Sequence, residues 1–170
     1  MNWTWKGRAW LFGDDIPNDE GIMPLRLVRQ QEYDAAELAK YCFEQVNAEF
    51  APKAKARDFV VAGRNFGYGN PHIQGFLGLK GMGVCVLAES MSRGPMRACV
   101  NAGVPVLVMP GVTKFAREGD ELEVDFLTGV LVNKTRGEEL RGEPLAEVMR
   151  EIVECGGGIG YMKKRLAITA

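Results

Sequence analysis

The sequence predicts an α/β fold in which a β-rich outer part covers a small βαβαβ core, all within a single domain over residues 1–170. Three observations carry this expectation. The short apolar runs DFVVAG (58–63), VCVLAES (84–90) and VPVLVMP (104–110) alternate with stretches of helical composition, as parallel strands joined by crossover helices do. Past Gly119 the pattern changes to alternation in DELEVDF and GVLVNKT, joined by Leu127-Thr128-Gly129, which reads as a β-hairpin. With 170 residues and 46% hydrophobic content, the chain can bury one sizeable core, and no repeat or low-complexity linker divides it.

In chain order, GRAWLFG (7–13) is strand-like, and DDIPNDEGIMP (14–24), with its acids, glycine and two prolines, is a loop. From Tyr33 to Phe50, Leu38, Tyr41, Cys42 and Val46 recur at three- and four-residue steps, which predicts an amphipathic surface helix. After the 58–63 strand comes a glycine-rich stretch, and a short helix over Pro71–Lys80 then runs towards the glycines at 81 and 83. Met91–Gly103 is a third helix, entered through a turn at Gly94-Pro95 and stopped by Asn101-Ala102-Gly103. A fourth helix lies within Pro144–Cys155, with Leu145, Val148, Met149, Ile152 and Val153 on one face. GGGIGYMKKRL then closes the chain with a basic tail, where Lys163, Lys164 and Arg165 suit a solvated helix end.

Composition narrows the function classes. Twenty-one Lys and Arg against 22 Asp and Glu give a net charge of -1, so there is no electrostatic case for nucleic acid or an anionic membrane. No apolar run approaches a membrane span, and MNWTWKGRAW lacks the apolar core of a signal peptide, which points to a soluble cytoplasmic protein. Cys42, Cys85, Cys99 and Cys155 are scattered and form no C-x-x-C, so no metal or cluster site is encoded locally, and free thiols are expected. Trp3, Trp5 and Trp10 read as partly buried packing residues, with contact to another subunit as the alternative.

The stretch GRNFGYGNPHIQ (63–74) contains the only histidine of the chain, His72. A glycine loop between strand and helix lets a ligand approach the backbone, and free N–H groups at a helix start favour an anion. The sequence predicts such N–H groups facing a cleft shared with Asp19 and Arg93. The spacing is neither G-x-G-x-x-G with a distant acid nor a P-loop, and a purely structural turn remains the alternative.

The succession GRAWLFGDDIPNDEGIMP, DFVVAGRNFGYG, LAES with Arg93 three residues on, NAGVPVL, GDELEVDFLTG and the glycine-rich stretch from Gly156 resembles the 3-isopropylmalate dehydratase small subunits over nearly the whole chain. That resemblance implies the swivelling β/β/α domain of the aconitase C-terminal type. It also implies a hydro-lyase acting on a hydroxy-di- or tricarboxylate, active only with a separate large subunit that carries a [4Fe-4S] cluster, with no cofactor in this chain. The family pattern sets Asp19 and Arg26 as a charged pair able to orient a substrate or each other, Arg93 as a substrate ligand, and Gly67 and Gly69 as the loop framework. Where the family reads Ser-Ser-Arg-Glu-His after N-F-G-x-G, this chain has Asn70-Pro71-His72-Ile73-Gln74. The serine base and the carboxylate-binding arginine are both replaced. Asn70 can still hydrogen-bond a substrate, Pro71 suits a helix start, and His72 can act as acid, base or cation. The expected site is therefore His72 and Asn70 for the chemistry, with Gly67, Gly69, Pro71, Asp19, Arg26 and Arg93 for binding. A non-catalytic binding or regulatory paralogue is the alternative that the double replacement leaves open.

Overall fold

β1 (Thr4–Phe12) is the longest strand, and both halves of the sheet are built on it. The computed structural model describes residues 2–166. After β1 come α1 (Leu25–Arg29), α2 (Ala35–Ala39), α3 (Phe50–Lys53), β2 (Phe59–Ala62), α4 (Gln74–Met82), β3 (Cys85–Ala88), α5 (Arg93–Ala102) and β4 (Val106–Val108). The chain continues through α6 (Val112–Phe115), β5 (Glu121–Asp125), β6 (Val130–Asn133), β7 (Glu138–Arg141), α7 (Glu147–Glu154) and α8 (Gly158–Arg165).

The seven strands form one sheet in the order β4-β3-β2-β1-β5-β6-β7. Thr4–Arg8 of β1 pair antiparallel with β5, while Ala9–Phe12 pair parallel with β2. β2, β3 and β4 continue the parallel half, and β5, β6 and β7 form an antiparallel meander. Every residue of β2 and β3 is buried, as expected of parallel strands covered on both faces, whereas β5 and β6 alternate. The sheet curls so that the chain leaving β7 meets the end of β4, where a Cβ on Gly142 would lie 3.0 Å from Met109 Cγ.

Residues 33–50 do not form the expected helix. Asp34 caps α2 by accepting from the N–H groups of Ala36 and Glu37 at 2.8 and 3.0 Å, but the helix ends at Ala39 and Phe43 takes a left-handed φ of 58°. An aromatic cluster overrides the helical period. Phe43 stacks on Phe12 with ring centroids 4.0 Å apart and meets Phe50 edge-on at 5.1 Å. Leu38 and Cys42 are buried as the periodicity suggests, while Val46 is 44% exposed. In the 144–155 helix, Val153 is buried but Val148 is 51% exposed, so it does not share the inner face; Leu145 is buried just ahead of the helix. Trp3 and Trp5 are buried against Phe126.

Glu89 at the end of β3 ties that strand to the start of α6. Its carboxylate accepts from the Gly111 and Thr113 N–H groups at 2.7 and 2.9 Å and from the Thr113 hydroxyl at 2.6 Å. Partial burial pushes its pKa up, but these donors outweigh it and hold the carboxyl below the ordinary value of 4.5. A folded-state pKa that is depressed contributes stability above the unfolded value, and that stability is lost as pH falls through the folded value. Glu89→Gln, which turns a donor towards these donors, is therefore expected to lower unfolding free energy by about 1–2 kcal/mol at pH 7. The gap should close in urea titrations as pH drops below 4.5; a gap independent of pH would contradict this account.

Candidate functional site

The loops that follow β1, β2 and β3 (13–24, 63–73 and 89–92) gather at the carboxyl ends of the parallel strands, where α/β sheets open a crevice between diverging connections. Backbone bonds stitch them together. The Asp15 N–H donates to Arg64 O, Gly67 N–H to Ile16 O and Asn18 N–H to Tyr68 O, each at 2.8 Å, and Phe66 N–H donates to Ser90 O at 3.1 Å. At the outer rim the Arg64 guanidinium grips Asp14 at 2.8 and 3.0 Å, and the Arg64 N–H reaches the same carboxylate at 2.7 Å. That N–H first, and then the guanidinium, hold Asp14 below the usual carboxylate value.

Within this frame Asp19, Asn70 and His72 come together. His72 Nδ1 lies 2.9 Å from both carboxylate oxygens of Asp19, and Asn70 Nδ2 donates to Asp19 Oδ2 at 3.2 Å. The His72 side chain is 39% exposed and that of Asp19 is 15% exposed, so the ring stands between the carboxylate and solvent. A carboxylate only accepts, so Nδ1 carries the hydrogen, and the neutral ring is left with its lone pair on Nε2. No group among the described residues bonds to Nε2. A carboxylate behind an imidazole whose far nitrogen is free is the arrangement of an oriented general base.

Asn18, next to Asp19, fixes the backbone beneath the ring. Its side chain is buried, and Nδ2 donates to the carbonyls of Asn70 at 2.9 Å and His72 at 2.6 Å. Helix α4 starts at Gln74 instead of Pro71, and Pro71 is an exposed loop residue outside the helix. Gly67 and Gly69 differ in what they contribute. Both have positive φ (75° and 97°), but a Cβ on Gly67 would also crowd Pro95 at 3.1 Å and Phe76 at 3.3 Å, whereas one on Gly69 would meet open space.

Other expected site residues are placed differently. Asp19 and Arg26 are not a pair: Arg26 bonds Glu44 at 2.6 Å and lies over the Tyr41 ring, while Asp19 faces His72 and Asn70. The N–H groups of Gly63, Arg64, Asn65, Phe66 and Gly67 do not face a cleft, because each is bonded to a protein acceptor. Arg93 starts α5 and lines a pocket of about 280 Å³ with Met91, Ser92, Met96, Arg97 and Met149. Its helix adjoins the glycine loop through Pro95 and Gly67, but Arg93 bonds to none of Asp19, Asn70 and His72. Sequence reasoning missed Asn18 as the organiser of the loop. The available signal was an amide immediately before the retained acid, yet nothing in the sequence tells that it is buried.

No group of three or more His, Cys, Asp or Glu among the described residues is placed to hold a metal ion. Burial pushes the Cys42 thiol up to about 12 and raises those of Cys85 and Cys99, so these three thiols disfavour the thiolate that a cluster needs. Among the described residues, these buried thiols therefore do not fit an iron-sulfur cluster.

No family model matches the chain. A crystal structure of 3-isopropylmalate dehydratase from Methanocaldococcus jannaschii superimposes on it with a TM-score of 0.88 at 32% identity, covering 97% of this chain and 96% of that one. Curled sheet and strand-end loops together define a swivelling β/β/α domain of the aconitase C-terminal type. The 3-isopropylmalate dehydratase small subunit of Methanosarcina mazei is 47% identical over 160 residues, 94% of this chain and 96% of the relative. The isopropylmalate/citramalate isomerase small subunit of M. jannaschii is 41% identical over 163 residues, covering 95% of each. The chain belongs to the family of 3-isopropylmalate dehydratase small subunits.

Since His72 is the sole histidine, its ring can be observed without assignment ambiguity in the ¹⁵N-labelled chain. Long-range proton-nitrogen spectra of the neutral ring are expected to show the hydrogen on Nδ1, and Asp19→Ala to move it towards Nε2. A wild-type ring protonated on Nε2 would disprove the Asp19–His72 geometry.

Proposed function

We propose that this chain is the small subunit of a hydro-lyase of the aconitase superfamily, acting on a hydroxy-di- or tricarboxylate similar to 3-isopropylmalate, and that His72 transfers the proton. The supporting observation is the pairing of His72 Nδ1 with the Asp19 carboxylate at 2.9 Å, which leaves Nε2 free. In this reading Nε2 takes the proton from the carbon next to the hydroxyl-bearing carbon, and the electron pair of that C–H bond becomes the double bond as the C–O bond breaks. The departing hydroxide would be accepted by the large subunit's cluster, with Asp19 facing the imidazolium that results. Asn70 assists: with Nδ2 turned to Asp19, its Oδ1 is available to a hydroxyl of the substrate.

The reading assigns the [4Fe-4S] cluster to the large subunit, makes the assembled pair the active species, and places it in the cytoplasm. It treats residues 1–170 as one closing unit. No helix among the described residues is long and apolar enough to cross a membrane, which is compatible with that location. Gly67 and Gly69 shape the loop, and Asp19 acts through His72 and Asn70. Arg93 is left as a carboxylate ligand from the adjoining pocket, while Arg26 and Pro71 support the loops. Because the loop carries no guanidinium at position 72, the substrate group held there differs from the usual carboxylate and is smaller or uncharged.

The test is anaerobic co-purification with the cognate large subunit, followed by a screen of hydroxy acids for reversible dehydration. His72→Asn is expected to lower kcat about 10²-fold or more, with a smaller change in KM, and His72→Arg should not restore it. If arginine is tolerated and asparagine mainly raises KM, His72 binds an anion instead. Unchanged turnover in both variants would sink the proposal for this loop, and complete absence of turnover would favour a binding paralogue. The chain purified alone is expected to contain no stoichiometric iron or sulfide.

A further inference from the structure

We infer that Asn18 is a positioning residue for His72, acting on the imidazole through the backbone carbonyls of residues 70 and 72 and not by touching the ring. The amide is 1% exposed, and its Nδ2 holds two carbonyls that are two residues apart, at 2.9 and 2.6 Å. One NH₂ group serving both carbonyls ties residues 70 and 72 to a single point. From this segment the ring of His72 and the amide of Asn70 reach the same carboxylate. That carboxylate belongs to the next residue, Asp19. Clamp and orienting acid are thus adjacent in the chain, so a shift of Asn18 moves both sides of the Asp19–His72 contact.

The backbone of Asn18 is equally committed. Its N–H donates to Tyr68 O at 2.8 Å, and its carbonyl accepts from Ile22 at 3.2 Å and Met23 at 3.0 Å. The other end of the side chain, Oδ1, is packed against Gly75, where a Cβ would sit 2.5 Å from it. A hydroxyl has one hydrogen and cannot serve both carbonyls at once, whereas the amide has two. The reverse orientation of the amide would set its oxygen against both carbonyls, so the bonding pattern fixes which atom faces the loop.

The kinetic part of this inference rests on the proton-transfer reading of His72, but the spectroscopic part does not. In the ¹⁵N-labelled full chain, Asn18→Ala is expected to leave the fold intact by circular dichroism while moving hydrogen on the ring from Nδ1 towards Nε2. The isosteric Asn18→Asp, which removes the donor, should do the same. Gly75→Ala keeps Asn18 but presses a methyl on Oδ1, and it should shift the ring in the same direction even if the Asn18 variants fold poorly. In the reconstituted complex each variant should lower kcat about tenfold with less change in KM. Folded Asn18→Ala and Gly75→Ala chains with an unchanged ring would overturn the inference, as would a fall in kcat without any change at the ring. A changed ring with unchanged kcat would support the positioning role and overturn the catalytic reading of His72 instead.

Discussion

The change of partner halfway along β1 is the constraint on which the rest of the molecule depends. Up to Arg8 the strand pairs antiparallel with β5, and from Ala9 onward it pairs parallel with β2. Asp58, buried just ahead of β2, closes that junction: its carboxylate accepts from the Arg8 N–H at 2.9 Å, the Trp10 indole at 3.1 Å and the Lys55 N–H at 2.9 Å. Three donors on one carboxylate offset the cost of burying the charge. They also hold the Ala9–Phe59 register, because a slip of one residue would turn every β1 side chain to the opposite face. The loop carrying Asn18 and Asp19 leaves the end of β1, and the loop carrying His72 leaves the end of β2. The register at Ala9 therefore fixes how the two halves of the site meet.

From that junction to the site, order passes through backbone groups more than through side chains. The first five N–H groups of the glycine loop are all bonded within the protein, so this part of the loop is a rigid support. The short segment beyond it is held by two neighbouring side chains of the facing loop, Asn18 on its carbonyls and Asp19 on the side chains of Asn70 and His72, and the helix begins after it.

Much of the fold was legible because burial leaves a pattern. The strands β2 and β3 are continuous apolar runs with every residue buried, and β5 and β6 alternate as a half-covered sheet must. β7 was not legible, since EELR at a sheet edge has the charge an exposed edge tolerates and almost no apolar pattern. The 33–50 segment misled because its three- and four-residue spacing is real, while the cluster that draws in its Phe43 and Phe50 is completed by Phe12 from β1. The site followed the same division. Its residue types and its glycine framework stood out locally. The Asp19–His72 contact spans 53 positions, and the partners of Arg26 and the burial of Asn18 depend on packing that no local motif records.

The side chains at 70 and 72 give the loop a definite polarity. A guanidinium in the loop would present a fixed fork of donors to the cleft. Here the side-chain donors, Nδ1–H of His72 and Nδ2–H of Asn70, both turn inward to Asp19. Their outward atoms, Nε2 of the neutral ring and Oδ1 of the amide, are acceptors. The backbone that supports them can stay the same because Asn18 bonds to carbonyls, which every residue has, and is indifferent to the side chains at 70 and 72. A loop supported in this manner can exchange donors for acceptors without rebuilding the strands beneath it.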